Sequence, residues 1–252
     1  LGRVPTRIGV AVPWRNWLLT RAIPPLPESA RMRKRTPAEI RALTAAASSA
    51  DAPARTALPL RAHQIHHYLH LAAAFGANPE PLAPAIAVSA NEIEAARRKF
   101  GLDPGTTWLG LNPGAEYGPA KRWPAARFAA TAIRLQRALA CRWLLLGGGN
   151  DRALVAEVEG EIRAGLGATA SGSMPLNLAG STTLRELCAV LKICRSVLTN
   201  DTGPMHVAAA VGTPVVVPFG STEPALTGPG LPGDPRHRLL RAPVPCAPCF
   251  LR

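Results

Sequence analysis

The chain has 252 residues, 47% of them hydrophobic, which is enough apolar material for one large or two modest cores and excludes wholesale disorder. Its formal net charge of +13 suits an anionic partner, but only four of the 29 basic residues are lysine and no basic motif is interleaved with aromatics, so nucleic acid is set aside. The uncharged run Thr202 to Thr222 carries three prolines and three glycines and breaks into shorter elements, which excludes a transmembrane span.

The chain starts at Leu1 with neither a methionine nor a signal-peptide pattern and is read as a fragment. Residues 1 to 27 look like pieces of a domain already under way, with Arg7-Ile8-Gly9-Val10 as a strand. Residues 1 to 62 hold eleven Lys and Arg against Glu28, Glu39 and Asp51, a local excess of +8. Within them, 28 to 61 are rich in Ala, Arg, Pro and Ser and hold either a short helix over Pro37 to Ala47 or, failing that, a mobile basic insertion. Such an insertion is either solvated charge or a contact for an anionic membrane or glycolipid.

A helix is expected over His63 to Phe75, with Ile65, Leu69 and Ala72 on one face and Gly76 as its stop. His63, His67 and His70 fall opposite that face, as surface histidines or, less simply, metal ligands. Pro79, Pro81 and Pro84 make an extended linker, and Ser89 with Glu92 forms a capping box for a helix through Phe100, ended by Gly101. A domain boundary is placed here, dividing the chain into 1–100 and 101–252.

From Thr107 strands alternate with helices: strand Thr107–Asn112, helix Pro124–Ala140, strand Arg142–Leu146, helix Asp151–Leu166, strand Pro175–Leu178 and a helix from the Thr183/Glu186 capping box through Cys194. Ser196 to Gly220 is one strand–helix–strand unit, with Pro204 in the helix's first turn, Gly212 at its end and Val215-Val216-Val217 as a buried strand. His237–Arg241 is a final strand. This alternation means a parallel, doubly wound sheet whose strand-to-helix loops share one rim.

Four loops meet on that rim: 113–123, 147–151, 180–182 and 200–203. The helix after Gly203 points unsatisfied N–H groups and the positive end of its dipole at the last of them, which favours a phosphate. Thr202 offers a hydroxyl there, and His206, one turn in, an imidazole. Gly114 permits close approach of a ligand, while Lys121 and Arg122 bring cations suited to a diphosphate, or Arg122 pairs with Glu116. Asp151, after three glycines, either accepts from a ribose diol or caps its own helix, and Asp201 or Thr202 likewise serves the ligand or the helix. Among the five cysteines, 141, 188 and 194 read as core thiols; Cys246 and Cys249 form a CxxC that cannot by itself close a tetrahedral metal site. The odd count and lack of a secretory signal favour a reducing compartment.

The pair of motifs NPGAEYGPAKRWP and NDTGPMHVAAAVGTPVVVPFGSTEPALTGP resembles the lipopolysaccharide heptosyltransferases of glycosyltransferase family 9, most closely the heptosyltransferase II group; RNWLLT, HQIHHYLHLAAAFG and CAPCFLR fit the same family. The resemblance implies an α/β fold of the GT-B type: two Rossmann-like domains, the first truncated here, with the sugar nucleotide held mainly by the second. It implies an ADP-heptose donor, a lipid A-core glycolipid acceptor, inverting transfer without cofactor or metal, and a cytoplasmic location with peripheral contact at the inner membrane. It carries Lys121, Asp201, Thr202, Gly203 and His206 to the diphosphate and sugar, Asp151 to the ribose and the backbone near Thr182 to adenine, with Gly114, Glu116 and Tyr117 beside the donor; Lys121, Asp201 and His206 take the catalytic roles. The family's general base lies on an N-terminal Gly-Asp loop that nothing in residues 1 to 27 matches, which implies reduced or no turnover for the fragment. Two other readings stay open: a GT-B transferase using a different nucleotide sugar, and a non-catalytic nucleotide-binding module.

Overall fold

A computed structural model describes residues 4–30, 32–46, 57–167, 174–241 and 244–251. Eleven positions of the basic insertion, 31 and 47–56, lie outside the described residues, Ala47 of its expected helix among them; the rest of that helix is α1, Pro37–Ala46.

Six parallel strands make the central sheet: β3 (Trp108–Asn112), β4 (Arg142–Leu145), β5 (Leu176–Asn177), β6 (Ser196–Thr199), β7 (Val215–Phe219) and β8 (Arg238–Arg241). They lie in the order β5-β4-β3-β6-β7-β8. Counted from β3 this is the doubly wound order 3-2-1-4-5-6, whose direction of progression reverses between the first and fourth strands. Here that reversal falls between β3 and β6, paired in register from Leu109↔Ser196 to Asn112↔Thr199.

The helices that follow these strands cover both faces. Because side chains alternate along a strand, Leu109 and Leu111 of β3 turn to one face and Trp108 to the other. On the first face they meet α4 (Ala125–Leu139) and α5 (Arg152–Leu166) through Phe128, Ala132, Val155, Val158 and Ile162. On the second, α6 (Leu184–Ile193) and α7 (Gly203–Ala210) pack Val190, Leu191, Met205 and Ala208 against Leu144, Val197, Val215 and Val217. A Cβ built on Gly110 would sit 3.0 Å from Val197, so the central strand carries no side chain where β6 crowds it. α3 (Ala90–Phe100) joins this second face through Ala96 and bridges to α6 with the Lys99–Glu186 pair at 2.6 Å and an Arg185–Glu92 pair.

Both capping boxes form as the local spacing requires: Ser89 with Glu92 and Thr183 with Glu186. Gly101 ends α3 at φ 64°. Cys141, Cys188 and Cys194 are buried thiols, and burial pushes the Cys194 thiol up to about 12.

Ahead of this unit, β1 (Ile8–Val10) pairs in parallel with β2 (Arg21–Ile23), a strand the sequence pattern does not signal because only Ile23 of its three residues is buried. α2 (Gln64–Ala73) begins one residue later than expected, and His63 departs from the predicted surface row. It is buried at the helix start, where its Nδ1 accepts from the Ile65 N–H at 3.2 Å and its Nε2 lies 3.1 Å from the Gly228 carbonyl. His70 lies 2.8 Å from the Pro24 carbonyl. Among the described residues no group of three His, Cys, Asp or Glu is placed to hold a metal, and no helix is long and apolar enough to cross a membrane.

Candidate functional site

The rim site is built where the strand order reverses. Ligands in open α/β sheets bind outside the carboxyl ends of the strands at that point, because the loops there diverge and leave a crevice. The loops after β3 and β6 flank it, and two asparagines hold them together. Asn200, fully buried, accepts from the Trp123 N–H at 2.9 Å and donates to the Pro113 carbonyl at 2.8 Å. Asn112 donates to Thr199 Oγ1 at 3.2 Å and to the Gly114 carbonyl at 3.4 Å.

Lys121 is the last residue of a short 3-10 turn, Pro119–Lys121, and its side chain crosses to the β6 loop. Its Nζ lies 2.6 Å from Asp201 Oδ2 and 3.5 Å from the Asp201 carbonyl, with 15% and 5% of the two side chains exposed. The Tyr117 ring centroid is 5.0 Å from the same ammonium, and the Tyr117 hydroxyl donates to the Phe250 carbonyl at 3.3 Å. Thr222 Oγ1 donates to Asp201 Oδ2 at 2.6 Å. One carboxylate oxygen thus receives both an ammonium and a hydroxyl in a largely dehydrated corner, where charge-assisted bonds are strong.

α7 begins beside this corner. Thr202 at its N-cap makes no side-chain bond to the helix, and Pro204 contributes no N–H, so the helix start is left without an internal cap. His206, one turn in, is held below the ordinary imidazole value: dehydration by the atoms around its ring is the main cause, Lys121 adds to it, and the Asp201 carboxylate opposes it. The ring still reaches solvent, so this neutral donor or acceptor is open to a ligand.

The two remaining loops close the far side. Asp151 Oδ2 accepts from the Gly148 N–H at 3.0 Å and makes no cap bond into α5. A Cβ on Gly114 would sit 2.5 Å from the Asp151 carboxyl, so the β3 and β4 loops touch only because residue 114 lacks a side chain. The Gly180 N–H donates to the Gly147 carbonyl at 2.9 Å, which brings the β5 loop and half-buried Thr182 alongside. Glu116 is exposed on the rim and pairs with no cation among the described residues; Arg122 donates to the Ala115 carbonyl at 3.4 Å, so the predicted alternative of a Glu116–Arg122 pair is not formed.

Lys121, Asp201, Thr202, Gly203 and His206 therefore form one cluster with Tyr117 at its edge, and Gly114, Asp151 and Thr182 form the adjoining wall. Asn112, Asn200 and Thr222 were not singled out from the sequence. Their signal is faint: a polar side chain at the very end of an apolar strand, as in Leu111-Asn112 and Thr199-Asn200, or just beyond one, as in Phe219-Gly220-Ser221-Thr222. A cavity of about 670 Å³ adjoins Lys121 and is bounded by Trp123, Phe219, Ser221, Arg241 and Cys246. An apolar cavity of about 430 Å³ beneath α4 lies instead at the opposite ends of the strands, near Thr107 and Ser196, and contains none of the predicted residues.

Lipopolysaccharide heptosyltransferase 2 of Escherichia coli K12 is 37% identical to this chain over 152 residues, which are 60% of this chain and 42% of that protein. Lipooligosaccharide heptosyltransferase 2 of Haemophilus ducreyi is 37% identical over 153 residues, 58% of this chain and 42% of that protein. The solved structure of the E. coli ADP-heptose LPS heptosyltransferase II superimposes with a TM-score of 0.60 at 32% identity, covering 71% of this chain and 54% of that one. A family 9 glycosyl transferase from Veillonella parvula gives the same TM-score at 26% identity, over 74% and 52% of the two chains. The chain thus spans about half the length of these relatives, and its α/β fold is of the GT-B type. Residues 33–252 match glycosyltransferase family 9 (heptosyltransferase), and the chain belongs to that family.

Proposed function

We propose that the chain carries the donor-binding half of a lipopolysaccharide heptosyltransferase, moving heptose from an ADP-heptose donor to the inner core of a lipid A glycolipid with inversion. Residues 101–252 form the sugar-nucleotide domain in this reading, and residues 1–100 belong to the acceptor-side domain. The observation that carries it is the half-buried ammonium of Lys121, held by Asp201 beside the uncapped start of α7. The names of the relatives support the choice of donor and acceptor.

In such a transfer an acceptor hydroxyl gives its proton to a carboxylate base, which the family resemblance puts on an N-terminal loop that residues 1 to 27 do not match, and attacks the anomeric carbon while the bond to the diphosphate oxygen breaks and ADP departs. Negative charge grows on the diphosphate as that bond lengthens. Fixed positive charge aimed at the leaving group lowers this barrier, because it has no reorganisation to undergo when the charge appears. Lys121 and the backbone N–H groups of α7 supply that charge, His206 adds a neutral hydrogen-bonding group, and Gly203 leaves the approach unobstructed. Asp151 and the backbone near Thr182 take the ribose and the base, with Gly114, Glu116 and Tyr117 along the donor's flank. A cytoplasmic location, with the basic amino-terminal segment against an anionic membrane face, fits the net charge of +13 and the absence of a membrane-crossing helix among the described residues.

Thermal denaturation with ADP, UDP and GDP tests the reading. A ligand at about 100 times its Kd adds about 2.7 kcal/mol to the folded state, or roughly 5–10 °C in Tm for a chain of this size. ADP is expected to give the largest shift, and Asp201→Ala to remove it. A larger shift with UDP or GDP would assign a different nucleotide sugar, and no shift with any of the three refutes the donor site.

A further inference from the structure

Thr222 lies on the turn after β7, outside every residue assigned to the donor above. Its side chain is buried at 5% exposure, and its hydroxyl donates to Asp201 Oδ2 at 2.6 Å, the same oxygen that Lys121 Nζ reaches at 2.6 Å. We propose that Thr222 is a positioning residue for diphosphate binding: it anchors the Asp201 carboxylate so that Lys121 is presented to the second phosphate of a nucleoside diphosphate. The inference rests on the donor-site reading and deepens it.

The case begins with the lysine. An ammonium on a four-carbon stem is a poorly placed charge unless something fixes it, and affinity is lost to ordering it when the ligand arrives. Asp201 fixes it, but Asp201 sits on a loop and its carboxylate can itself rotate. Thr222 supplies the external reference. Its turn is pinned on two sides: the Phe250 N–H donates to the Ser221 carbonyl at 2.8 Å, and a Cβ on Gly220 would lie 2.9 Å from the Ala120 carbonyl, so the turn is packed against the segment that carries Lys121. A hydroxyl fastened to that turn holds Oδ2 in place.

The shared oxygen matters in a second way. A carboxylate oxygen that also accepts from a hydroxyl has less charge density to offer the ammonium, which keeps the lysine from being fully neutralised by its own partner. The ammonium has three N–H donors, of which one points to Oδ2 and a long contact reaches the Asp201 carbonyl at 3.5 Å. Capacity therefore remains for a phosphate oxygen. Both the orientation and the residual charge depend on the Thr222 hydroxyl rather than on its methyl group.

Thr222→Val keeps the shape and deletes the hydroxyl, and calorimetric titration with ADP and AMP reads the result. We expect ADP affinity to fall about tenfold, the scale set by one hydrogen bond to a charged group, while AMP affinity changes less than about twofold because AMP has no second phosphate. Thr222→Ser restores ADP binding. In a Lys121→Met background Thr222→Val produces no further loss, because the group it positions is gone. Thr222→Ala reads the same ADP-against-AMP difference should the valine variant lose its cooperative thermal transition. Unchanged ADP affinity in the valine variant, equal losses for ADP and AMP, or a further loss in the Lys121→Met background each overturn the proposal. A wild-type chain that binds no nucleoside diphosphate overturns the donor-site reading itself and this inference with it; binding of ADP by the wild type with an indifferent Thr222 overturns this inference alone.

Discussion

Replacing Asn200 tests whether the rim is a built structure or a set of independent helix caps. Its side chain has no solvent exposure and ties Trp123 N–H to one end and the Pro113 carbonyl to the other, at 2.9 and 2.8 Å. In Asn200→Ala both backbone groups lose their partner while Pro113 stays buried. An unsatisfied buried group costs about 1–3 kcal/mol, so two of them, one partly reachable by water, cost about 2–5 kcal/mol. For a chain of this size that is a fall in Tm of roughly 5–15 °C. Asn200→Asp separates the causes. Its shape is the same and one oxygen still accepts from Trp123, but the other faces the Pro113 carbonyl oxygen, so the variant should be as unstable as the alanine at neutral pH and recover relative to wild type in acid, where a protonated carboxyl donates to that carbonyl. Differential scanning calorimetry from pH 7 to pH 4, with ADP titration at pH 7, measures both effects. An alanine variant within about 2 °C of wild type that binds ADP normally would show that the two loops are not held by this clip.

Two other perturbations follow from the geometry. His63 is bound as the neutral tautomer, since Nδ1 accepts from Ile65 and Nε2 must then carry the proton toward the Gly228 carbonyl; burial is the main cause that lowers its pKa below the ordinary value of 6.5. The unfolded chain binds the proton more readily, so the stability this residue contributes is present above pH 6.5 and is lost as pH falls through the lower folded value. Equilibrium unfolding in urea across pH 7.5 to 5 should show a steeper fall for wild type than for His63→Gln, and parallel curves would refute the assignment. Gly220→Ala places a methyl group 2.9 Å from the Ala120 carbonyl and must displace the 3-10 turn that carries Lys121. ADP binding should weaken several-fold with little change in Tm, as read by titration calorimetry; unaltered binding would mean the turn tolerates the shift.

Where a feature depends on neighbours within one turn of chain, it was legible in the residues. The Ser89/Glu92 and Thr183/Glu186 boxes and the left-handed stop at Gly101 are closed by bonds between residues three or four apart, and they form as read. Strands β3, β4 and β6 were placed within a residue because an uninterrupted apolar run bounded by turns has few alternatives in a parallel sheet. β2 was not legible: Arg21-Ala22-Ile23 buries one side chain and owes its strand geometry to its partner β1. The rim loops could be named from topology, but the Lys121–Asp201 pair joins residues 80 positions apart and the Thr222 bond to Asp201 spans 21. No local pattern records which cation will find which carboxylate, and His63 shows the same limit, since helical spacing cannot foresee that the first residue of a row will turn inward to a distant carbonyl.

The parallel sheet also sets an order of assembly. β3, β4 and β5 can pair through neighbouring crossovers, as can β6, β7 and β8, but the seam between the halves joins Asn112 to Thr199, residues 87 positions apart. Bringing together segments so distant is entropically costly and comes late when local pairings are available. The crevice exists only along that seam. A chain emerging from a ribosome would therefore hold two half-sheets before it held a binding site, and a nucleotide could act on folding only at the last step, as a clasp on the seam. Amide exchange in β6 is where that clasp should be visible: the protection of Val197 and Leu198 should rise with ligand more than that of β8 at the sheet's edge.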